Sequence, residues 1–315
     1  MHLSRHLLAR GVLLPVLASL VIAAVAVPAY AARPTTAGHG GKGGGSSTPT
    51  GNDVSWPQCG STLPTGEAFG IVGVNDGLAN NLNPCLGPSK SYPSYTQSEL
   101  YWAQATASGT TAEPKASLYV NTADPGNIAA DWPTSSSSAD PYGSCTTTTS
   151  TSTVGQNTTA CAWQYGYNMA TQDTVRLSDA AAAIVGQESK VSVPTDPGAY
   201  PWWLDVETAN SWQAGSYGQE MNVADLQGIV AALVSAHVAT TGIGVYSTSS
   251  QWTQITGDPV GASAAGSLWA LADWVPGARS ESGAIANCTS TSFTGGTVTV
   301  TQWFAHPVDA DYACG

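Results

Sequence analysis

Positive charge is scarce in this chain of 315 residues, which has nine lysines and arginines against twenty-one aspartates and glutamates. Four of the nine precede residue 50. Only Lys90, Lys115, Arg176, Lys190 and Arg279 face the acids, the first of which is Asp53, so the part beyond residue 50 has a formal net charge near −16. Such a surface repels phosphate backbones, which excludes nucleic acid as a partner and disfavours an anionic membrane surface. Histidine is also scarce beyond residue 50. His237 and His306 are the two present there, too few for a histidine metal cluster, and any Ser-His-Asp or Cys-His relay would have to use one of them. "GASAAG", Gly261 to Gly266, misses the nucleophile-elbow pattern by one residue and reads as a loop. No Gly-rich dinucleotide fingerprint follows the first strands, and no cofactor is implied.

Long apolar runs are equally few. The one that exists, "GVLLPVLASLVIAAVAV", follows Arg5 and Arg10 and precedes the small-residue site "AYA" at Ala29 to Ala31. That pattern makes residues 1–31 an expected secretory signal peptide, with no twin-arginine pair and no later segment able to span a bilayer. Residues 32–50 form a Gly/Ser/Thr/Pro tract that cannot bury apolar surface, an expected linker. No stable membrane insertion is expected once the leader is removed. The expected folded part is 51–315, secreted and extracellular or wall-associated.

Cysteine is limited to six, all in that part: Cys59, Cys85, Cys145, Cys161, Cys288 and Cys314. No C-x-x-C occurs, so an even count behind a leader points to disulfides rather than zinc. Six cysteines allow fifteen pairings. Sequential pairing is favoured because each pair then closes a short loop near a strand end.

What is present in quantity is strand–helix alternation. "FGIVGVND", "ASLYVNT", "PWWLDVE", "GIGVYST", "SLWALADWVPG" and "TVTVTQWF" read as strands. "SELYWAQATASG", "ACAWQYGYNMATQDTVRL", "LSDAAAAIVGQ", "NVADLQGIVAALVSAHVATTG" and "SSQWTQITG" read as helices. Asn222 is the expected cap of the fourth, Asp225 falls in its first turn and Gly242 lies just beyond its end. His237 falls inside it. The Ser/Thr-rich stretch around Cys145 reads as an insertion loop pinned by Cys145 and Cys161, and little room is left for a helix between the last two strands. The alternation fits one α/β barrel. An open doubly wound sheet is the other arrangement, but "GVNDG" is not the phosphate turn it predicts.

Within "WWLDVETANSW" (Trp202 to Trp212) alternation places Trp203, Asp205 and Glu207 on one face and Trp202, Leu204 and Val206 on the other. The second set is apolar and suits packing against outer helices. The first carries two acids at a strand's C-terminal end, where barrel enzymes keep their chemistry. With histidine, metal and redox chemistry disfavoured, carboxylates among tryptophans and tyrosines point to glycoside hydrolysis, in which one carboxyl protonates the leaving oxygen and another stabilises the oxocarbenium-like state. A two-residue step spans about 6.6 Å, so both can reach one bond. Aromatic side chains at strand ends (Tyr119, Trp203, Tyr246, Trp274 and Trp303) are candidate sugar platforms, although most of the tryptophans are expected to pack in the core.

Five motifs in order resemble glycoside hydrolase family 25, the lysozyme-type N-acetylmuramidases. "GNDVSWPQ" resembles the opening G-x-D-x-S-x-x-Q strand and sets Asp53 on its aspartate. "FGIVGVNDG" resembles the second strand and sets Asp76 on its acid, an aspartate where glutamate is usual. "WWLDVE" matches the D-x-E of the fourth strand, and "GVYSTSSQW" resembles the later Tyr-containing strand. "TQWFAHPVDADY" resembles the closing strand, with Asp309 as the final aspartate and Asp311 as its rival. The resemblance implies an α/β fold, an irregular TIM-like (β/α) barrel with eight strands and few helices in its C-terminal part. It implies Glu207 as general acid, Asp205 as the group that orients the sugar's 2-acetamido substituent, and Asp53 and Asp309 as cleft-lining acids. The implied partner is cell-wall polysaccharide or peptidoglycan. A non-catalytic wall-binding barrel and a purely structural surface protein are the alternatives.

Overall fold

The computed structural model describes residues 49–77, 79–126, 128–147, 155–187, 189–257 and 266–315. The expected leader, all but the last two residues of the expected linker, and most of the Gly261 to Gly266 loop lie outside the described residues. Eight strands close into a barrel in sequence order: β1 (Thr50–Val54), β2 (Phe69–Gly73), β3 (Ala116–Asn121), β4 (Trp202–Asp205), β5 (Ile243–Tyr246), β6 (Ala272–Ala278), β7 (Val298–Trp303) and β8 (Asp309–Ala313). Strands β1 to β7 pair in parallel, and β8 runs antiparallel to both β7 and β1. This is the expected eight-stranded α/β barrel.

Two apolar layers follow from strand alternation. Val72, Leu118, Leu204 and Val245 point outward into the layer beneath the helices, together with Trp202 and Trp252. Phe69, Ile71, Tyr119, Trp203, Trp274 and Val300 fill the barrel interior. Large inward rings fit because glycines face them. A Cβ at Gly244 would lie 2.2 Å from the Trp203 ring, and one at Gly73 would lie 2.8 Å from the Tyr119 ring.

The described helices are α1 (Glu99–Thr106), α2 (Thr159–Val185), α3 (Gly215–Ser235), α4 (Ser249–Thr256) and α5 (Glu281–Asn287). Three of them depart from the sequence reading. The two helical stretches expected around "TQDTVRLSDAAAA" are one helix, α2, because no Gly or Pro separates them and Ala170, Leu177, Ala181 and Ile184 continue one buried stripe. Thr158 caps its start by accepting from the Cys161 N–H at 3.3 Å. Helix α3 starts at Gly215 rather than at Asn222. Asn222 is instead buried inside the helix, where its side chain accepts from Gln213 N and donates to the carbonyls of Gln213 and Ile255. Its side-chain groups are satisfied by neighbouring segments and not by a helix end, so it is not a cap. Asp225 is likewise mid-helix and fully buried. The helix ends at Ser235, and His237 lies beyond it with φ 69°. The seven-residue α5 occupies the β6–β7 connection, where little room for a helix was expected; Ser280 caps it through Gly283 N.

The three disulfides pair sequentially, Cys59–Cys85, Cys145–Cys161 and Cys288–Cys314. The first ties the segment after β1 to the segment after β2. The second ties the Ser/Thr-rich connection to the first turn of α2. The third joins the end of α5 to the end of β8. Such bonds fit an oxidising compartment. Among the described residues no helix is long and apolar enough to cross a membrane.

The Gly244–Trp203 contact gives a direct test of interior packing. Gly244→Ala should lower the unfolding free energy by roughly 1–3 kcal/mol, the usual cost of overfilling a core. Trp203→Phe in the same chain should recover part of that loss, so urea denaturation of the double-mutant cycle should show coupling of at least about 0.5 kcal/mol.

Candidate active site

The inner positions at the C-terminal ends of the parallel strands turn from apolar to polar one pleat above the aromatic floor. Tyr119, Trp203 and Gly244 are neighbours across β3, β4 and β5; two residues on, the neighbours are Asn121, Asp205 and Tyr246. A cavity of about 410 Å³ opens over this upper layer. It is lined by carboxyls from three separate strands: Asp53 at the end of β1, Asp205 at the end of β4 with Glu207 just beyond it, and Asp309 at the start of β8. The antiparallel pairing of β8 with β1 sets Asp309 directly opposite Asp53.

Each acid is held differently. Asp53 is buried; it accepts from the Gln302 amide at 2.8 Å and from the Ser55 hydroxyl at 3.1 Å. Tyr246 donates to the other end of that amide, Oε1, at 3.0 Å. Burial raises Asp53 to about 6, with Gln302 and Ser55 pulling it down and the Asp309 charge pushing it up. Asp205 is buried, its Oδ1 has no partner among the described residues, and its backbone oxygen accepts from Thr122. Burial, then the charge of Glu207, then that of Asp53 hold its carboxyl well above the ordinary range. Glu207 is only partly buried and rises for the same first reason, opposed by a hydrogen bond from Gln251 on α4. The turn after Glu207 is pinned by Trp212, whose indole N–H donates to the Glu207 carbonyl at 2.9 Å. Two carboxyls this close in a desolvated setting cannot both ionise freely, so they titrate as a pair.

The remaining sequence candidates separate. Tyr119, Tyr246 and Trp274 line the cavity. Trp203 lies in the floor beneath it, packed edge-on against Trp274 with ring centroids 5.8 Å apart. Asp311 is fully buried below the opening and accepts from the Trp274 indole at 2.9 Å; Asp309 is the aspartate that reaches the cavity. Asp76 does not line the cavity, although Gly77 does. The inward position at the end of β2 is Asn75, whose amide is tied to the Asn121 backbone. Trp303 also stays away from the cavity, because β7 turns Gln302 inward and its neighbour outward.

Gln302, Trp56, Asn121 and Asn210 also line the cavity and were not singled out from the sequence. The signal for Gln302 was available, since alternation along "TVTVTQWF" pairs it with the inward Val300. Trp56 sits within the opening motif and is 64% exposed at the rim. No group of three or more His, Cys, Asp or Glu among the described residues has the geometry to hold a metal ion. No family model matches the chain, and neither does any curated protein or solved structure.

The raised carboxyls fix the sign of the pH dependence. A carboxyl with a raised folded-state pKa stabilises the fold fully below its unfolded value, and that contribution is lost as pH rises through the folded value. For Asp53 the window runs from about 4 to about 6. The wild-type melting temperature should therefore fall across this window, and Asp53→Asn should melt with a flatter slope there. An equal slope in both proteins would contradict the assignment.

Proposed function

We propose that this protein is a secreted glycoside hydrolase acting on cell-wall polysaccharide, with peptidoglycan as substrate, through the carboxylate chemistry of the lysozyme-type muramidases. The observation that carries this reading is the meeting of Asp53, Asp205, Glu207 and Asp309 in one open cavity above an aromatic floor. The oxidising setting of the disulfides and the leader-like amino terminus support export.

Glu207 is the more accessible member of the acidic pair and is the proton donor to the departing glycosidic oxygen. Burial favours retention of a proton on the Asp205–Glu207 pair, which suits one of its members to act as an acid. As that proton leaves, the pair gains negative charge beneath the anomeric carbon, where positive charge develops. In the substrate-assisted route the 2-acetamido oxygen closes onto the anomeric carbon. Asp205 accepts the hydrogen bond from the amide N–H as the amide becomes cationic. Water then opens that ring and returns its proton to Glu207. Asp53 is held in place by Gln302 and Ser55 and forms part of the cavity wall. Tyr119 and Trp274 close the floor under the sugar, and Trp56 supplies an exposed aromatic face at the rim.

One observation favours a second reading, a wall-glycan-binding barrel without turnover. At the end of β2 the inward group is the neutral Asn75, not an acid. Release of reducing ends from purified peptidoglycan separates the two. Glu207→Gln should reduce turnover by at least about 100-fold, the scale of a lost general acid, while leaving the melting temperature unchanged or slightly higher. A wild-type protein that binds walls yet releases no reducing ends would establish the binding reading instead.

A further inference from the structure

Two further hollows continue from the acid-lined cavity on the side of the β4–α3 connection. The first, of about 310 Å³, shares Asn210 with the cavity and is lined by Thr208, Trp212, Gln219 and Gln254. The second, of about 360 Å³, shares Gln219 with the first and reaches Tyr142, Thr159 and Thr256. Along it Ser216, Gln219, Glu220 and Val223 recur at i, i+3, i+4 and i+7, so it follows one stripe of α3 for two turns. Each hollow alone falls within the roughly 300–1,000 Å³ of small-molecule sites. We propose that the three spaces form one track, along which an uncharged N-acetylated polysaccharide strand leaves the cavity over the β4–α3 rim and continues along the outer side of α3. The proposal rests on the glycosidase reading and adds to it a chain-length requirement set outside the barrel mouth.

The lining decides the ligand. In a chain with twenty-one acids, Glu220 is the one charged side chain among the described residues of these two hollows. Most of the others are amides, hydroxyls and aromatic rings. Amides and hydroxyls both donate and accept, which matches the hydroxyl and acetamido groups of a neutral sugar. An anionic strand would find no lysine or arginine in the lining and would meet the negative field of the whole protein. A peptide with free carboxylates is disfavoured for the same reason.

The walls of the track are fixed in place. The buried Asn222 amide bonds to the backbone of Gln213 and to the Ile255 carbonyl, so it ties together the two sides of the first hollow. Gln219, at the divide, donates to the Gln254 carbonyl at 3.2 Å. Tyr142 belongs to the Ser/Thr-rich connection that Cys145–Cys161 ties to α2, and it walls the second hollow. Its hydroxyl donates to Gln227 Oε1 on α3 at 2.6 Å, which anchors the polar end of a ring that is 42% exposed. The near end of the track reaches the chemistry. Trp212 lines the first hollow, and its indole holds the Glu207 carbonyl at 2.9 Å, so a strand lying there contacts the turn that carries the proton donor.

Calorimetric titration of the full chain carrying Glu207→Gln tests this without turnover. The probes are the trisaccharide and the hexasaccharide of N-acetylglucosamine, and a free wall stem peptide. The hexasaccharide should bind roughly tenfold more tightly than the trisaccharide, a gain of about 1.4 kcal/mol. Adding Tyr142→Ala or Gln219→Ala should bring that ratio close to one, while Tyr142→Phe, which keeps the ring, should retain most of it. High salt should leave the ratio unchanged, because no charge is read. Equal binding of the two oligosaccharides, or a ratio that neither alanine variant alters, overturns the track and leaves the acidic cavity as the site of cleavage. Binding of the stem peptide that Tyr142→Ala abolishes overturns it in favour of a peptide groove. A length preference that the variants remove, in a wild-type protein that releases no reducing ends from peptidoglycan, upholds the track and overturns cleavage. Failure of both oligosaccharides to bind overturns the track, and release of reducing ends by the wild type then decides the glycosidase reading on its own.

Discussion

The reluctance of carboxyl groups to ionise out of water governs this molecule. Asp53, Asp205 and Asp311 are all withdrawn from solvent at one end of the barrel, with Glu207 partly so, and burial is the first cause of the upward shift at each. Such crowding is costly unless protons are shared or hydrogen bonds supplied. The surroundings provide both. Gln302, Ser55 and Trp274 donate to the deepest acids, while Glu207 remains partly in contact with solvent. The result is a set of acids that burial raises alike and that their individual hydrogen bonds and neighbouring charges set apart.

The same depth depends on the packing below. Tyr119, Trp203 and Trp274 fill the interior, so the polar layer rests on a rigid apolar plug instead of a water column. Glycines on the facing strands make room for those rings, and the disulfides hold the connecting segments beside the opening and at the closing strand. Each level therefore constrains the next: small residues admit large rings, the rings exclude water, and the excluded water sets the carboxyls.

Much of this was legible in the sequence, and the failures have physical causes. Alternation along "WWLDVE" located Asp205 and Glu207 on the inner face because a strand's period is fixed. The barrel emerged from strand–helix order, and the sequential disulfides from loop length. Asn222 misled because Asn has the chemistry of a cap, and only tertiary structure shows that Gln213 and Ile255 already occupy its side chain. Asp76 misled by one position because it was set by resemblance to a strand ending in an acid and a glycine, whereas the parity of the inward Phe69 and Ile71 selects Asn75. At Trp303 the sequence held the answer, because the parity that worked on β4 also selects Gln302 on β7.

The antiparallel closing strand also decides which way the barrel faces. Because β8 descends from the rim, the chain finishes beside the place where it entered: Thr50 pairs with Tyr312, and Ala313 N bonds to the Pro49 carbonyl at 2.8 Å. Entry and exit thus share the base, opposite the mouth. The two backbone junctions of the described barrel are thus stitched to each other by the sheet itself, and neither crosses the acid-lined opening, so the first and last strands can only separate together.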